Sequence, residues 1–266
     1  MRLNSKNIIV LGIVNATPDS FSDGGMNDPV EHAAFLLKNG ADAVDIGGES
    51  TRPGAAEVPE REELARILPV IREIRRMFPD TLISVDTRKA AVAEAALREG
   101  ADWINDISGG TFQPEIMSVV ASAGGAYIAG HTRGLPENML EKRFTEYPDG
   151  VIDEVMAFWR DSAAKAVAAG IAPGKIMVDP GFGFAKERKD NMEMAEKFHL
   201  FVEQQPYPVC AGVSRKRFLA PELSPLERGE ISSRLEVELA AAGAAVIRTH
   251  DPVNFRKYAL ERESRC

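Results

Sequence analysis

The chain has 266 residues, a formal net charge of −8 and two cysteines, a length that suits one large α/β domain, since an eight-unit barrel takes about 250 residues. The acidic balance argues against nucleic acid, whose phosphates call for a basic face; no apolar run approaches the roughly 18 residues that cross a bilayer, and the first residues are no secretory leader, so a cytoplasmic protein without a membrane partner is expected. Cys210 and Cys266 make neither a disulfide framework nor a metal-ligand spacing, and an anionic substrate would need a local cluster of positive charge.

From end to end, short β-like runs alternate with longer helical patterns. The runs are Ile8 to Val14, Ala43 to Ile46, Leu82 to Asp86, Trp103 to Asn105, Ala126 to Ala129, Lys175 to Asp179, Pro208 to Val213 and Ala245 to Arg248. Helices are predicted at Pro29 to Asn39, Glu60 to Met77, Lys89 to Glu99, Pro114 to Ser122, Val151 to Ala169, Asn191 to Gln204, Pro225 to Ala242 and Pro252 to Arg262. Three of these helices run into glycine before the next strand, in Gly40-Ala41, Gly100-Ala101 and Gly243-Ala244, where glycine supplies the left-handed residue that ends a helix. Eight β/α units without a linker or composition break point to a closed (β/α)8 TIM barrel over residues 1–266, a single domain, rather than an open doubly wound sheet. The stretch from His131 to Gly150, rich in charge and carrying two prolines, reads as an elaborated loop after the fifth strand.

In such a barrel the residues after each strand share one mouth. Strand one is followed by the polar loop Asn15 to Gly25 and strand two by Gly47 to Gly54. Strand three ends in Asp86-Thr87-Arg88 and strand four in Asn105-Asp106. The sixth run leads into Asp179-Pro180-Gly181-Phe182-Gly183-Phe184-Ala185-Lys186, the seventh into Ser214-Arg215-Lys216-Arg217 and the eighth into Arg248-Thr249-His250-Asp251. Asp179 alone reads equally as a turn residue bonding backbone amides; with its counterparts it reads as one of a ring of chemical groups. Asp86, Asn105, Asp179 and Lys216 suit the edge of a heterocycle carrying amino and carbonyl groups. Arg52, Arg248, His250 and Asn15 suit a phosphate or diphosphate. Asp251-Pro252 reads as an N-cap with proline at the first helical position, which aims a helix N-terminus at the same place. Arg215 and Arg217 read as well as solvated surface as ligand contacts.

These motifs, in their order, resemble those of the dihydropteroate synthases over almost the whole chain. The most specific are Gly12-Ile13-Val14-Asn15-Ala16-Thr17-Pro18-Asp19-Ser20-Phe21-Ser22-Asp23-Gly24-Gly25, Gly48-Glu49-Ser50-Thr51-Arg52-Pro53-Gly54 and Asp179-Pro180-Gly181-Phe182-Gly183-Phe184. The resemblance implies a transferase of folate biosynthesis that joins para-aminobenzoate to hydroxymethyl-dihydropterin diphosphate, uses Mg2+, forms a homodimer and is a target of sulfonamides. Carried over by position, it implies that Asp86, Asn105, Asp179 and Lys216 hold the pterin, and that Asn15, Arg52, Arg248 and His250 meet the diphosphate or its magnesium, Asn15 as metal ligand. It implies that Thr51, Pro53, Phe184 and Lys216 border the aminobenzoate site. Lys216, Asp86, Arg52 and Asp23 are the expected catalytic set, the last two joining the polar loops over the mouth. Departures from the pattern are Ala16 for valine, Gly130 for the methionine usual before His131, and Ile231 for a glycine before Ser232. Two other classes fit a pterin-binding barrel: a pterin-dependent methyltransferase, which has no need of the Ser214-Arg215-Lys216 and Arg248-Thr249-His250 charges, and a catalytically silent binding protein.

Overall fold

The computed structural model describes residues 7–17 and 28–265; Asp23 and Cys266 lie outside them. The chain runs β1 (Ile9–Asn15), α1 (Pro29–Lys38), β2 (Ala43–Gly47), α2 (Glu60–Met77), β3 (Leu82–Asp86), α3 (Ala90–Arg98), β4 (Trp103–Asp106), α4 (Glu115–Ala123) and β5 (Ala126–Gly130). It continues through α5 (Lys142–Thr145), α6 (Val151–Ala168), β6 (Ile176–Asp179), α7 (Arg188–Glu196), α8 (Phe198–Glu203), β7 (Cys210–Ala211), α9 (Gly229–Ala241), β8 (Val246–Thr249) and α10 (Pro252–Glu263). All eight strands are parallel, in the order β6-β5-β4-β3-β2-β1-β8-β7. The ring closes where Val178 pairs with Val209 and donates its N–H to the Pro208 carbonyl at 3.0 Å. The expected (β/α)8 barrel is the fold.

Helix-to-strand turns repeat one device. Gly40, Gly100 and Gly243 take φ of +108°, +110° and +109°, and the alanine after each donates back into its helix, Ala41 to Leu36, Ala101 to Ala96 and Ala244 to Leu239, each at 3.0 Å. Those bonds satisfy carbonyls that the helix end would otherwise leave open.

Strand register decides what each residue faces, because side chains alternate with period two. Outward residues such as Val44, Ile46, Ile83, Val85, Ile104 and Val178 belong to the large core between strands and helices. Burial of each such side chain is worth about 1.5–3 kcal/mol. Inward residues form a second, smaller cluster of Leu11, Ala43, Ile128, Met177, Cys210 and Val246. One step further along, on β2, β3, β4, β6 and β8, that inward row turns polar. After Ala43 comes Asp45, after Leu82 come Ser84 and Asp86, after Trp103 comes Asn105, after Met177 comes Asp179, and after Val246 comes Arg248. The barrel is thus apolar inside at the strands' N-terminal ends and charged at the other.

Several elements differ from expectation. β7 spans two residues where the apolar run predicts six. The helix predicted from Asn191 to Gln204 is two, broken at Lys197 (φ −103°, ψ 22°). α9 begins at Gly229, after a turn over 224–228 that sequence reading joins to the helix. The long loop after β5 contains the short helix α5.

Candidate active site

Asp86, Asn105, Asp179, Phe184, Lys216 and Arg248 meet at the C-terminal mouth around a hollow of about 370 Å3 that opens to solvent, with Ile107 and Gly130 completing the wall. Its floor is ionic. Arg248 donates through Nε to Asp45 and through Nη2 to Asp86 Oδ2 at 2.7 Å, and Asn105 donates to Asp45 Oδ2 at 3.0 Å. The other oxygens, Asp45 Oδ1 and Asp86 Oδ1, and the Ser84 hydroxyl are buried without a hydrogen-bond partner. Buried acceptors are normally satisfied, so the floor is built for donors that arrive with a ligand. Burial pushes Asp86 up to about 7, Arg248 pulling the other way and Asp45 adding to the rise. Arg248, despite its burial, is held still more firmly charged by Asp45 and Asp86.

Asp179 leaves β6 with its Oδ1 accepting from the Gly181 amide at 2.7 Å. Asp179 thus bonds the turn and also lines the hollow. Burial raises its carboxyl above the usual range against the pull of the Gly181 amide, Lys216 and Arg248. Gly181 is required on two counts: its φ is +67°, and a Cβ there would stand 1.9 Å from the His131 carbonyl oxygen. That tight turn also wraps Lys186. Its ammonium meets His131 Nδ1 at 2.9 Å and the carbonyls of Gly181 and Phe184 at 3.0 Å each. Lys186 therefore staples the turn from behind, and burial depresses both its pKa and that of His131.

Lys216 lies over the Phe184 ring, Nζ 3.9 Å from the centroid. Burial and then Arg248 lower it to about 8, with Asp179 and Asp86 opposing. His250 stands beyond Arg248, with the Ser214 hydroxyl 3.0 Å from both its backbone N and its Nδ1. Burial and then Arg215 and Arg248 depress His250 well below the usual value, so it offers a neutral ring. α10 begins as expected, Asp251 accepting from the Asn254 amide at 3.0 Å with Pro252 at its first position.

Arg248 reaches the carboxylate floor because an inward register position points it there. Of the other expected site residues, Asn15, Thr51, Arg52, Pro53 and His250 lie outside the lining of the hollow. Thr51, Arg52 and Pro53 ride on the β2–α2 segment, Arg52 and Pro53 exposed, and Gly54 donates to the Pro136 carbonyl at 2.8 Å. Asn15 ends β1 beside Gly47. Asp106 is outward and fully bonded to Ser108, Gly110 and Tyr127. No group of three or more His, Cys, Asp or Glu that could hold a metal occurs among the described residues. Asp45 and Ser84 are site residues that sequence reading misses; the signal was a carboxylate inside the apolar strand Ala-Val-Asp-Ile-Gly. The Gly130 departure has a steric cause, since a Cβ there would lie 2.7 Å from Ile107 Cα, and Ile107 supplies apolar wall at this place.

Residues 11–250 match the family model of the pterin binding enzymes. The chain is 40% identical to the dihydropteroate synthase of Synechocystis sp. over 253 residues, 92% of this chain and 86% of that protein. It is also 40% identical to that of Escherichia coli over 251 residues, 91% of this chain and 86% of that one. Among solved structures, the Yersinia pestis dihydropteroate synthase with a sulfonamide drug complex superposes with a TM-score of 0.90 at 37% identity, covering 100% of this chain and 96% of the other. The Xanthomonas albilineans dihydropteroate synthase with 4-aminobenzoic acid gives 0.87 at 35%, covering 99% and 97%. Identity at that level over nine-tenths of the length, with the same barrel, leaves one assignment: the chain belongs to the dihydropteroate synthase family of pterin-binding enzymes.

Proposed function

We propose that the chain joins para-aminobenzoate to 6-hydroxymethyl-7,8-dihydropterin diphosphate, giving 7,8-dihydropteroate and diphosphate, in the hollow bounded by Asp86, Asn105, Asp179 and Lys216. The observation that carries this reading is the carboxylate floor, where Asp86 and Asp45 each keep a buried oxygen without a donor. An amino-pyrimidine edge brings such donors in pairs. Asp179 accepts from that edge, Asn105 and Asp86 complete it, and Phe184 with Lys216 covers the ring. Arg248 pairs with both floor carboxylates, and so serves the pterin first. His250, Ser214, the start of α10 and Arg52 form the anion end.

Carbon–oxygen cleavage at the pterin methylene leaves a cation spread into an electron-rich ring, and an anion-binding end favours departure of diphosphate. The amine of para-aminobenzoate is unprotonated at neutral pH, so its attack needs orientation more than a strong base. Thr51, Pro53 and Phe184 border its place, and Arg52 on the same segment helps to keep water out. Magnesium suits this donor set as a substrate-borne ion: the Asn15 amide oxygen is a hard ligand, and phosphate oxygens and water would complete the shell. When bound, it would neutralise charge on the leaving group. Family resemblance supports a homodimer acting in the cytoplasm as part of the same proposal. The test is to mix the purified protein with the pterin diphosphate, magnesium and para-aminobenzoate, and to assay diphosphate and dihydropteroate together. Diphosphate release without dihydropteroate, or neither product, would overturn it.

A further inference from the structure

Beside the hollow, four charged side chains are buried in a cage that the reaction does not touch. Glu49 accepts from Arg88 Nε at 3.0 Å and from Lys89 Nζ at 3.1 Å. Glu63 of α2 accepts from Lys89 Nζ at 2.7 Å and from the Thr87 hydroxyl at 2.7 Å. Neither Glu49 nor Lys89 exposes more than 3% of its side chain. Burial raises the Glu49 carboxyl, but Arg88, the Val58 amide and Lys89 more than offset it, and it lies below its usual value; at Glu63 burial prevails and the value is raised. Such a network is no efficient source of stability, because apolar side chains of like volume do as well. What it supplies is position.

The partners are placed at both feet of one loop. Glu49 opens the segment between β2 and α2, and the Val58 amide near its end donates to Glu49 Oε1 at 2.7 Å. Lys89 bonds the Val58 carbonyl, and Arg88 reaches Glu57 at 3.6 Å. Residues 50–57 are thus an excursion whose two ends are tied to one another and to residues 87–89. The tie is short of slack elsewhere too: Arg66 donates to the Gly48 carbonyl at 2.7 Å, and a Cβ on Gly48 would meet Ile67 at 2.8 Å and Glu63 at 3.0 Å. Thr87 directly follows Asp86, and Gly47 pairs with Asp86 across the sheet. The loop base and the pocket floor therefore share one rigid block.

We propose that Glu49 is a positioning residue, which with Arg88 and Lys89 clasps both feet of the 50–57 loop and presents Thr51, Arg52 and Pro53 from a fixed base beside Asp86. This rests on the reading of those three residues as the rim that receives the second substrate. It predicts a split: loosening the clasp harms capture of para-aminobenzoate and leaves the pterin site intact.

The test uses Glu49→Ala and the conservative Glu49→Gln, which keeps an acceptor for the Val58 amide. Amide hydrogen exchange followed by mass spectrometry reads the loop without reference to activity. In Glu49→Ala, residues 50–58 should exchange at least tenfold faster while 82–86 are unchanged, and Glu49→Gln should restore most of the protection. The KM for para-aminobenzoate should rise about tenfold, with pterin affinity by calorimetry within twofold. Unchanged exchange over 50–58 overturns the clasp, as does a pterin affinity that falls in parallel with KM. Should Glu49→Ala not fold, Glu49→Gln with intermediate values of the same quantities decides. If wild-type protein made no dihydropteroate, the proposed reaction would fail, while hydrogen exchange would still judge the clasp.

Discussion

Two lysines at the same end of the barrel sit in opposite kinds of polar surroundings. Lys89 is enclosed by Glu49, Glu63 and the Val58 carbonyl, and every charge around it has a partner. Lys216 has the face of Phe184 at 3.9 Å and, among the described residues, no hydrogen bond from its ammonium; the carboxylates nearby keep oxygens to spare. A closed polar inventory marks architecture. An open one marks a place where something is expected to bind.

The largest way to break that contrast is to remove each ammonium. Lys89→Met leaves Glu63 buried without its countercharge and takes one of two from Glu49, and should cost about 3–5 kcal/mol in urea unfolding. Lys216→Met should leave the empty protein at neutral pH as stable or slightly more so, on the order of 1 kcal/mol, while abolishing turnover. The sign follows from linkage. The folded pKa of about 8 lies below the usual 10.5, so the unfolded chain holds the proton more tightly, and the wild type should gain stability relative to Lys216→Met as pH rises from about 8 past 10. Equal destabilisation by both substitutions would erase the distinction.

Next in size is Asp179→Asn, which turns an acceptor into a donor facing a donor. It should weaken a pterin analogue by about 2–3 kcal/mol in calorimetry, roughly 30- to 150-fold, in a protein that melts normally. The open cluster should also titrate where the closed one does not. kcat/KM for the pterin substrate should climb as Asp86 ionises near pH 7 and fall as Lys216 loses its proton near pH 8, and Lys216→Arg should remove the upper limb. A flat profile from pH 6 to 9 would mean that neither group is the donor or acceptor assigned to it. Smallest is Tyr127→Phe, which deletes the 2.7 Å bond to Asp106, itself held by three further donors. About 1–2 kcal/mol of stability should be lost, with kinetics unchanged, because Asp106 faces away from the hollow.

The barrel was legible because its helix endings repeat and its apolar runs stop at polar residues. What sequence hid was register. Asp45 sits inside a run whose other members are apolar, and only the inward row through Ala43, Asp45 and Gly47 puts it under the pocket. The same limit explains the helix broken at Lys197: Met194, Phe198 and Phe201 remain buried at helical spacing across the break, so the pattern continues although the backbone does not. In the run from Pro208 to Val213 burial is real throughout most of its length, but only Cys210 and Ala211 share a ladder. Apolarity reports burial and is silent on hydrogen bonding. At α9, Pro225 marks a turn in which Ser224 and Glu227 bond one another's amides, one step short of the helix proper.

The brevity of β7 bears on what the ligand does for the protein. The wall is laced by four paired positions between β5 and β6, but the lacing between β6 and β7 is the single pairing of Val178 with Val209 and the bond to Pro208. This is the ring's seam. Asp179 stands on one side of it and Lys216 on the other, so a flat molecule gripped by both is a rivet driven across the weakest joint. Substrate is then a structural member as well as a reactant. By mass action it should harden the whole cylinder, and protein emptied of pterin should part first between Val178 and Val209, with those amides gaining protection from exchange as pterin is titrated in.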